Sequence, residues 1–172
     1  MTIYAEQRKN KLNKTCCFTG HRKISAKLLD TVSVKLKEAV NLAIQNGYRY
    51  FIVGGAVGFD TLSAQAILNA KQEHKRKKIN LILAIPYPEQ ADGWDDADID
   101  EYERIKKALA DEVVYISKEK KKGCMYARNR YMIDNSSLCI AYMTRKTGGT
   151  VYTVKYAQEN NKKIYNIAET RQ

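Results

Sequence analysis

Arg49-Tyr50-Phe51-Ile52-Val53-Gly54-Gly55-Ala56-Val57-Gly58-Phe59-Asp60 is the stretch that decides the fold. Tyr50 to Val53 are aromatic and β-branched, the composition of a short buried strand. Three glycines follow, and then Asp60-Thr61-Leu62-Ser63-Ala64, which reads as a helix start with Asp60 as its cap. A strand, a glycine-rich turn and a helix N-terminus together form an anion site. Glycines admit a ligand close to the backbone, unpaired N–H groups point outward, and the helix dipole favours negative charge. This chemistry suits a phosphate-bearing ligand such as a nucleotide, although a plain βα turn that binds nothing carries the same pattern.

The alternation continues on both sides. Strands are expected over residues 15–19, 50–53, 80–85, 112–116, 138–143 and 163–167, and helices over 25–46, 61–70, 99–109, 125–135 and 151–160. The first of these helices starts at an N-cap, Ser25, and carries an apolar stripe of Leu28, Leu29, Val32, Leu36, Val40 and Ala43 before Gly47 ends it. Pro86 and Pro88 stop the third strand, and residues 87–96 read as irregular. The runs at 50–53, 80–85 and 138–143 are almost continuously apolar, as in strands covered by helices on both faces. With right-handed crossovers, the order predicts an α/β fold: a Rossmann-like, doubly wound, mostly parallel sheet of about six strands. Residues 1–14 read as a flexible basic arm and residues 15–172 as a single domain.

The chain has 172 residues, 44% of them hydrophobic, which suits one globular domain. The N-terminal stretch lacks the apolar segment of a signal peptide, and no run is long enough to cross a bilayer. A cytoplasmic protein without a membrane partner is expected. Cys16 and Cys17 would point to opposite faces of their strand, no C-x-x-C occurs, and His21 and His74 are the only imidazoles. Reduced buried thiols fit better than a metal site, and no cofactor is required. The net charge of +11 gathers in the N-terminal arm, in residues 71–78 and in residues 118–122. Solvated surface explains these runs, and a nucleic-acid partner is the alternative. The 12 tyrosines are scattered along the chain, which offers no clear platform for stacking bases.

Ligands of open α/β sheets bind outside the carboxyl ends of the strands. Six of the nine glycines fall there: Gly20 after the first strand, Gly54, Gly55 and Gly58 after the second, Gly148 and Gly149 after the fifth. Thr19, His21 and Arg22 beside Gly20 supply a hydroxyl, an imidazole and a guanidinium suited to phosphate. Ala56 lies within the second turn. Thr150 is either an N-cap or a phosphate ligand, or both. Asp60 is a cap, or else a group that accepts ribose hydroxyls or positions a water. Gln90 and Trp94 follow the third strand, where the ring either covers a base or packs the loop. Arg128 and Asn129 lie on the fourth of the helices after Ser25, where Met125, Asn129 and Met132 share a face.

In order, Phe18-Thr19-Gly20-His21-Arg22, Gly54 to Asp60, Pro86 with Gln90 and Trp94, Met125 with Arg128-Asn129-Arg130, and Gly148-Gly149-Thr150 resemble the YpsA branch of the SLOG superfamily. The resemblance runs from Cys16 to Ile167. It implies a bacterial Rossmann-like domain that binds or senses nucleotides or nucleotide-derived ligands, ADP-ribose-like ones included, with a link to cell division or stress signalling and a homodimeric state. The superfamily also includes DprA, which assembles on single-stranded DNA, and the LOG phosphoribohydrolases. The LOG motif PGGxGTxxE has no counterpart of its glutamate here, because Thr147-Gly148-Gly149-Thr150-Val151-Tyr152-Thr153-Val154 lacks an acid. Asp60 is then the one well-placed carboxylate for a nucleotide N-glycosidase, the alternative to a binding protein. Single-stranded nucleic-acid binding is a third reading.

Overall fold

The computed structural model describes residues 3–168. Its elements follow in order: α1 (Ile3–Asn13), β1 (Thr15–Gly20), α2 (Ala26–Gln45), β2 (Tyr50–Val53), α3 (Phe59–Glu73), β3 (Asn80–Ile85), α4 (Asp96–Arg104), β4 (Glu112–Tyr115), α5 (Cys124–Asp134), β5 (Leu138–Tyr142), α6 (Gly149–Glu159) and β6 (Lys163–Asn166). A single π-helical turn, Ile105–Leu109, extends α4. The six strands form one parallel sheet in the order β4-β3-β2-β1-β5-β6, a Rossmann-like α/β fold.

Both sheet faces are buried, so the central strands carry apolar side chains without alternation. Cys16 and Phe18 face a core closed by Val32, Leu36 and Val40 of α2, Phe59 and Ile67 of α3, and Tyr102 of α4. Cys17 faces the opposite core, beneath Met132 and Ile133 of α5 and Ala157 of α6. The adjacent cysteines therefore sit on opposite faces, as the strand reading requires, and all four cysteines are buried and free.

Winding direction makes the site. From β1 the chain steps outward through β2 and β3 to β4, then returns through α5 to β5 on the other flank of β1. The connections after β1 and β5 leave on opposite faces of the sheet, which opens a crevice between two neighbouring strand ends. Register keeps these ends level, with Thr19 opposite Ala141 and Gly20 opposite Tyr142.

Three local expectations change. Leu28 and Leu29 are exposed, at 46% and 38%; the buried stripe is Val32, Leu36, Ala39, Val40, Ala43 and Ile44. Most of the stretch read as a flexible arm is helix α1, which buries none of its side chains. Thr15 Oγ1 donates to the Lys11 carbonyl (2.7 Å) where α1 enters β1. Helix α3 begins two residues before the expected start, with Gly58 as N-cap, so Asp60 lies inside its first turn.

Candidate functional site

A cavity of about 590 Å³ opens at the carboxyl ends of β1 and β5. It collects Thr19, Gly20, His21 and Arg22 after β1, Ala56 and Asp60 from the turn and helix after β2, Arg128 and Asn129 from α5, and Gly148, Gly149 and Thr150 at the start of α6. Most of the residues singled out from the sequence thus line one cavity.

The α6 end has the chemistry of an anion cradle. Gly148 caps the helix at φ +107, a conformation that side chains rarely adopt, and a Cβ at Gly148 or Gly149 would meet nothing within 4 Å. Backbone space is therefore open where the first N–H groups of α6 point and the helix dipole is positive. Thr150 is buried in the first turn. Exposed Arg22 and Arg145 also line the cavity. Lys118, Lys120, Lys121 and Lys122 follow β4 at the same end of the sheet, giving that edge a positive field.

His21 has a structural task. Its Nε2 accepts the Thr144 N–H (3.0 Å), so the neutral ring carries its proton on Nδ1 and pins the loop that delivers Arg145. Burial, and secondarily Arg145, lowers the His21 pKa, so this neutral state is favoured. Tyr142 packs edge-on against the ring at 5.8 Å.

Beneath the cavity lies a buried charge pair. Arg128 Nη1 donates to the carbonyls of Gly54 and Ala84, the latter at 3.3 Å, and Nε donates to Asn129 Oδ1 at 2.9 Å. Asp60 Oδ2 accepts the Ala56 N–H at 3.1 Å. Gly54 explains how the two charges meet. A Cβ there would fall 2.4 Å from Arg128 Nη1 and 2.7 Å from Asp60 Oδ2, so only glycine fits between them. These two atoms are consequently no more than about 5 Å apart, within Coulombic reach. Burial pushes the Asp60 carboxyl above its usual range, against the pull of Arg128, the Ala56 N–H and Arg22. Burial likewise lowers the Arg128 pKa, partly offset by Asp60.

Five expected ligand residues stand outside this cavity. Gly54 makes room for the charge pair. Gly55 lies behind it, with Gln90 Nε2 donating to its carbonyl at 3.2 Å and to that of Gly54 at 3.4 Å; buried Gln90 braces the turn. Gly58, at φ +79, lets the chain after β1 pass over α3, because a Cβ would lie 2.2 Å from the Arg22 carbonyl oxygen. Trp94 packs edge-on against Tyr102 at 5.4 Å and lines a neighbouring groove. Gly20 does line the cavity, yet its smallness serves the core: a Cβ would strike the Phe59 ring at 2.3 Å.

Other lining residues were not singled out as ligands from the sequence: Phe18, Met125, Tyr126 and Met132 form an apolar wall, and Arg145 and Thr147 belong to the loop before α6. Tyr126 is 47% exposed and meets Tyr152 at 4.5 Å, edge to face; Tyr152 lies nearly parallel to Tyr156 at 6.4 Å. Arg130 Nη1 fixes the Tyr152 hydroxyl at 2.7 Å. Tyr126, Tyr152 and Tyr156, apart in the sequence, therefore meet on the α5–α6 layer. The one linear signal was the i, i+4 spacing of Tyr152 and Tyr156. Among the described residues, no cluster of three or more His, Cys, Asp or Glu could hold a metal, and no helix is long and apolar enough to cross a membrane.

A family model described as the YspA SLOG family matches residues 16–170. A UPF0398 protein of Ligilactobacillus salivarius is 25% identical over 142 residues, covering 78% of this chain and 76% of the relative. The SPbeta prophage-derived protein YoqJ of Bacillus subtilis is 29% identical over 145 residues, covering 77% of this chain and 81% of the relative. Among solved structures, DNA processing protein A of Streptococcus pneumoniae superposes with TM-score 0.62 at 17% identity, covering 88% of this chain and 49% of that one. DNA processing protein A of Helicobacter pylori, whose structure concerns its single-stranded DNA binding mode, gives TM-score 0.61 at 18% identity, with 92% and 66% covered. At these identities the structures show a shared fold.

Proposed function

The chain belongs to the YspA SLOG family, and from that footing we propose that its cavity binds a nucleotide or nucleotide-derived ligand through a phosphate at the start of α6. The observation that carries this reading is the mixed lining of the cavity. The open Gly148-Gly149 backbone, Thr150, Arg22 and Arg145 line it together with Met125, Met132 and the half-exposed Tyr126. An anion and a flat apolar group on one molecule match this lining. A purely inorganic anion would leave the apolar wall unused.

The test is a thermal-unfolding series with AMP, ADP-ribose and NAD. A ligand at 100 times its dissociation constant adds about 2.7 kcal/mol, a rise of roughly 5–11 °C for a domain of this size. Stabilisation by a nucleotide that phosphate alone does not reproduce supports the reading. No shift with any of them refutes it.

Asp60 favours a second reading, a nucleotide N-glycosidase. Its carboxyl lines the cavity and has its pKa raised by burial, the property expected of a general acid. This reading requires release of free base from a nucleotide, abolished by Asp60→Asn. A third reading draws on the basic edge of the sheet and on the single-stranded DNA binding of the Helicobacter pylori neighbour. It requires affinity for a single strand that falls steeply with salt.

A further inference from the structure

Two of the three basic runs of the sequence meet at the end of the sheet opposite the cavity. The N–H groups of Arg49 and Tyr50 both donate to the Lys14 carbonyl, at 2.9 and 3.1 Å, and the Asn80 N–H donates to the Arg49 carbonyl at 2.8 Å. The chain entering β1, β2 and β3 is therefore held side by side, which brings residues 75–78 to the edge where Lys14 and Arg49 stand. On the other flank the Ser137 N–H donates to the Thr15 carbonyl at 3.0 Å, and the Lys163 N–H to the Ser137 carbonyl at 3.2 Å. The start of β6 thus joins the same row. From β3 to β6 the row crosses four strand spacings, about 19 Å.

Among the described residues, Lys14, Lys75, Arg76, Lys77, Lys78 and Lys163 form no ion pair, and all but Lys77 are exposed. Three carboxylates at this end, Glu73, Asp111 and Glu112, are already paired with Lys37, Lys71 and Lys11; Glu159 at the end of α6 is not. The C-terminal dipole of α3 stabilises a cation, but it supplies only about half a charge against the four cations that follow the helix. The repulsion left over favours a polyanion. Its kind follows from what accompanies the cations. Tyr48 and Tyr50 are half-buried, and Lys11 covers the Tyr50 ring at 5.1 Å, so neither ring is free to stack an unpaired base. Asn13, Asn46 and Ser137 are polar neighbours, and exposed Ile3 and Tyr4 stand at the far end of α1, roughly 16 Å along the helix, so the row lacks the apolar anchor of a membrane surface.

We propose that the amino-terminal edge of the sheet binds the phosphate backbone of double-stranded nucleic acid, without reading its bases. A duplex carries one phosphate charge per ~1.7 Å of axis, so a length of about 19 Å offers roughly eleven, ample for six cations. The six residues of β1, about 20 Å, separate this edge from the cavity. The proposal does not rest on the nucleotide reading of that cavity.

Fluorescence anisotropy tests it, with a labelled duplex of about 20 base pairs and a single strand of the same length, between about 50 and 200 mM salt. One variant carries Lys14→Gln, Lys75→Gln, Arg76→Gln and Lys78→Gln. A second carries Lys118→Gln, Lys120→Gln, Lys121→Gln and Lys122→Gln, and so loses as much charge from the opposite end of the sheet. All eight side chains are exposed, and both variants should keep the wild-type Tm. The duplex should bind more tightly than the single strand. The first variant should lose at least about tenfold in duplex affinity, and its log–log salt slope should fall by about 3.6. The second should stay within about twofold of wild type. Saturating AMP should leave duplex affinity unchanged. Equal losses in the two variants would reduce the effect to net charge and overturn the site. Competition by AMP, preference for the single strand, or no binding at the lowest salt would overturn it too. Binding to vesicles containing phosphatidylserine that matches the duplex and is lost in the first variant would overturn the choice of partner.

Discussion

Arg128→Met is the perturbation that probes the floor of the site most severely. The substitution keeps an unbranched side chain of similar length but removes the guanidinium from between α5 and the ends of β2 and β3. Three losses follow. The carbonyls of Gly54 and Ala84 lose a charged donor, a cost of about 1–3 kcal/mol for a buried acceptor left unpaired. Asn129 Oδ1 loses its bond from Nε. Asp60, buried and within about 5 Å of Arg128, is left without its cation, and breaking such a pair costs about 3–5 kcal/mol. These terms overlap, so about 3–5 kcal/mol is the expected total, or a fall in Tm of roughly 6–20 °C.

Urea unfolding of four proteins measures the coupling: wild type, Arg128→Met, Asp60→Asn and the double variant. Asn at position 60 keeps an oxygen for the Ala56 N–H but carries no charge, so it should recover about 0.5–3 kcal/mol of the Arg128→Met loss. The stability lost by Arg128→Met relative to wild type should shrink as pH falls into the carboxylate range, because protonation relieves the unpaired Asp60. A single-variant cost under 1 kcal/mol, or strict additivity of the two substitutions, would refute the charge-pair argument.

Other outcomes follow from single contacts. Gly20→Ala should cost about 1–3 kcal/mol through collision with Phe59, and Phe59→Leu in the same chain should recover part of it, as read by urea midpoints. His21 has a lowered pKa, so the unfolded chain takes up a proton near its ordinary value of 6.5 before the folded chain does. Stability should therefore be full above that pH and decline as pH falls below it, with this component absent in His21→Asn. Gly148→Ala should cost about 1–2 kcal/mol by imposing a side chain on a positive φ, and should abolish nucleotide-dependent stabilisation. Nucleotide affinity should weaken as salt rises from 50 to 500 mM, because Arg22 and Arg145 are exposed; calorimetry at the two concentrations checks this.

The fold was legible because its signals are local. Apolar runs such as Tyr50 to Val53 and Asn80 to Ile85 coincide with β2 and β3, because strands buried on both faces cannot alternate. The glycines cluster at the strand ends, but three of them have a second use that the sequence does not show. Gly20, Gly54 and Gly58 look like ligand turns in the sequence, yet each yields to a protein atom: the Phe59 ring, the Arg128 guanidinium and the Arg22 carbonyl. That distinction depends on contacts between residues far apart in the chain, which spacing cannot show. Trp94, read as either covering a base or packing its loop, packs on Tyr102, a contact that spacing does not show. Tyr126 became a wall of the cavity only when α5 and α6 came side by side.

A crystal structure of the protein grown with saturating AMP locates the nucleotide. Its phosphate should lie against the N–H groups of Gly149 and Thr150, with the base against Tyr126. AMP bound elsewhere, or a cavity left empty at millimolar AMP, would contradict the proposed site.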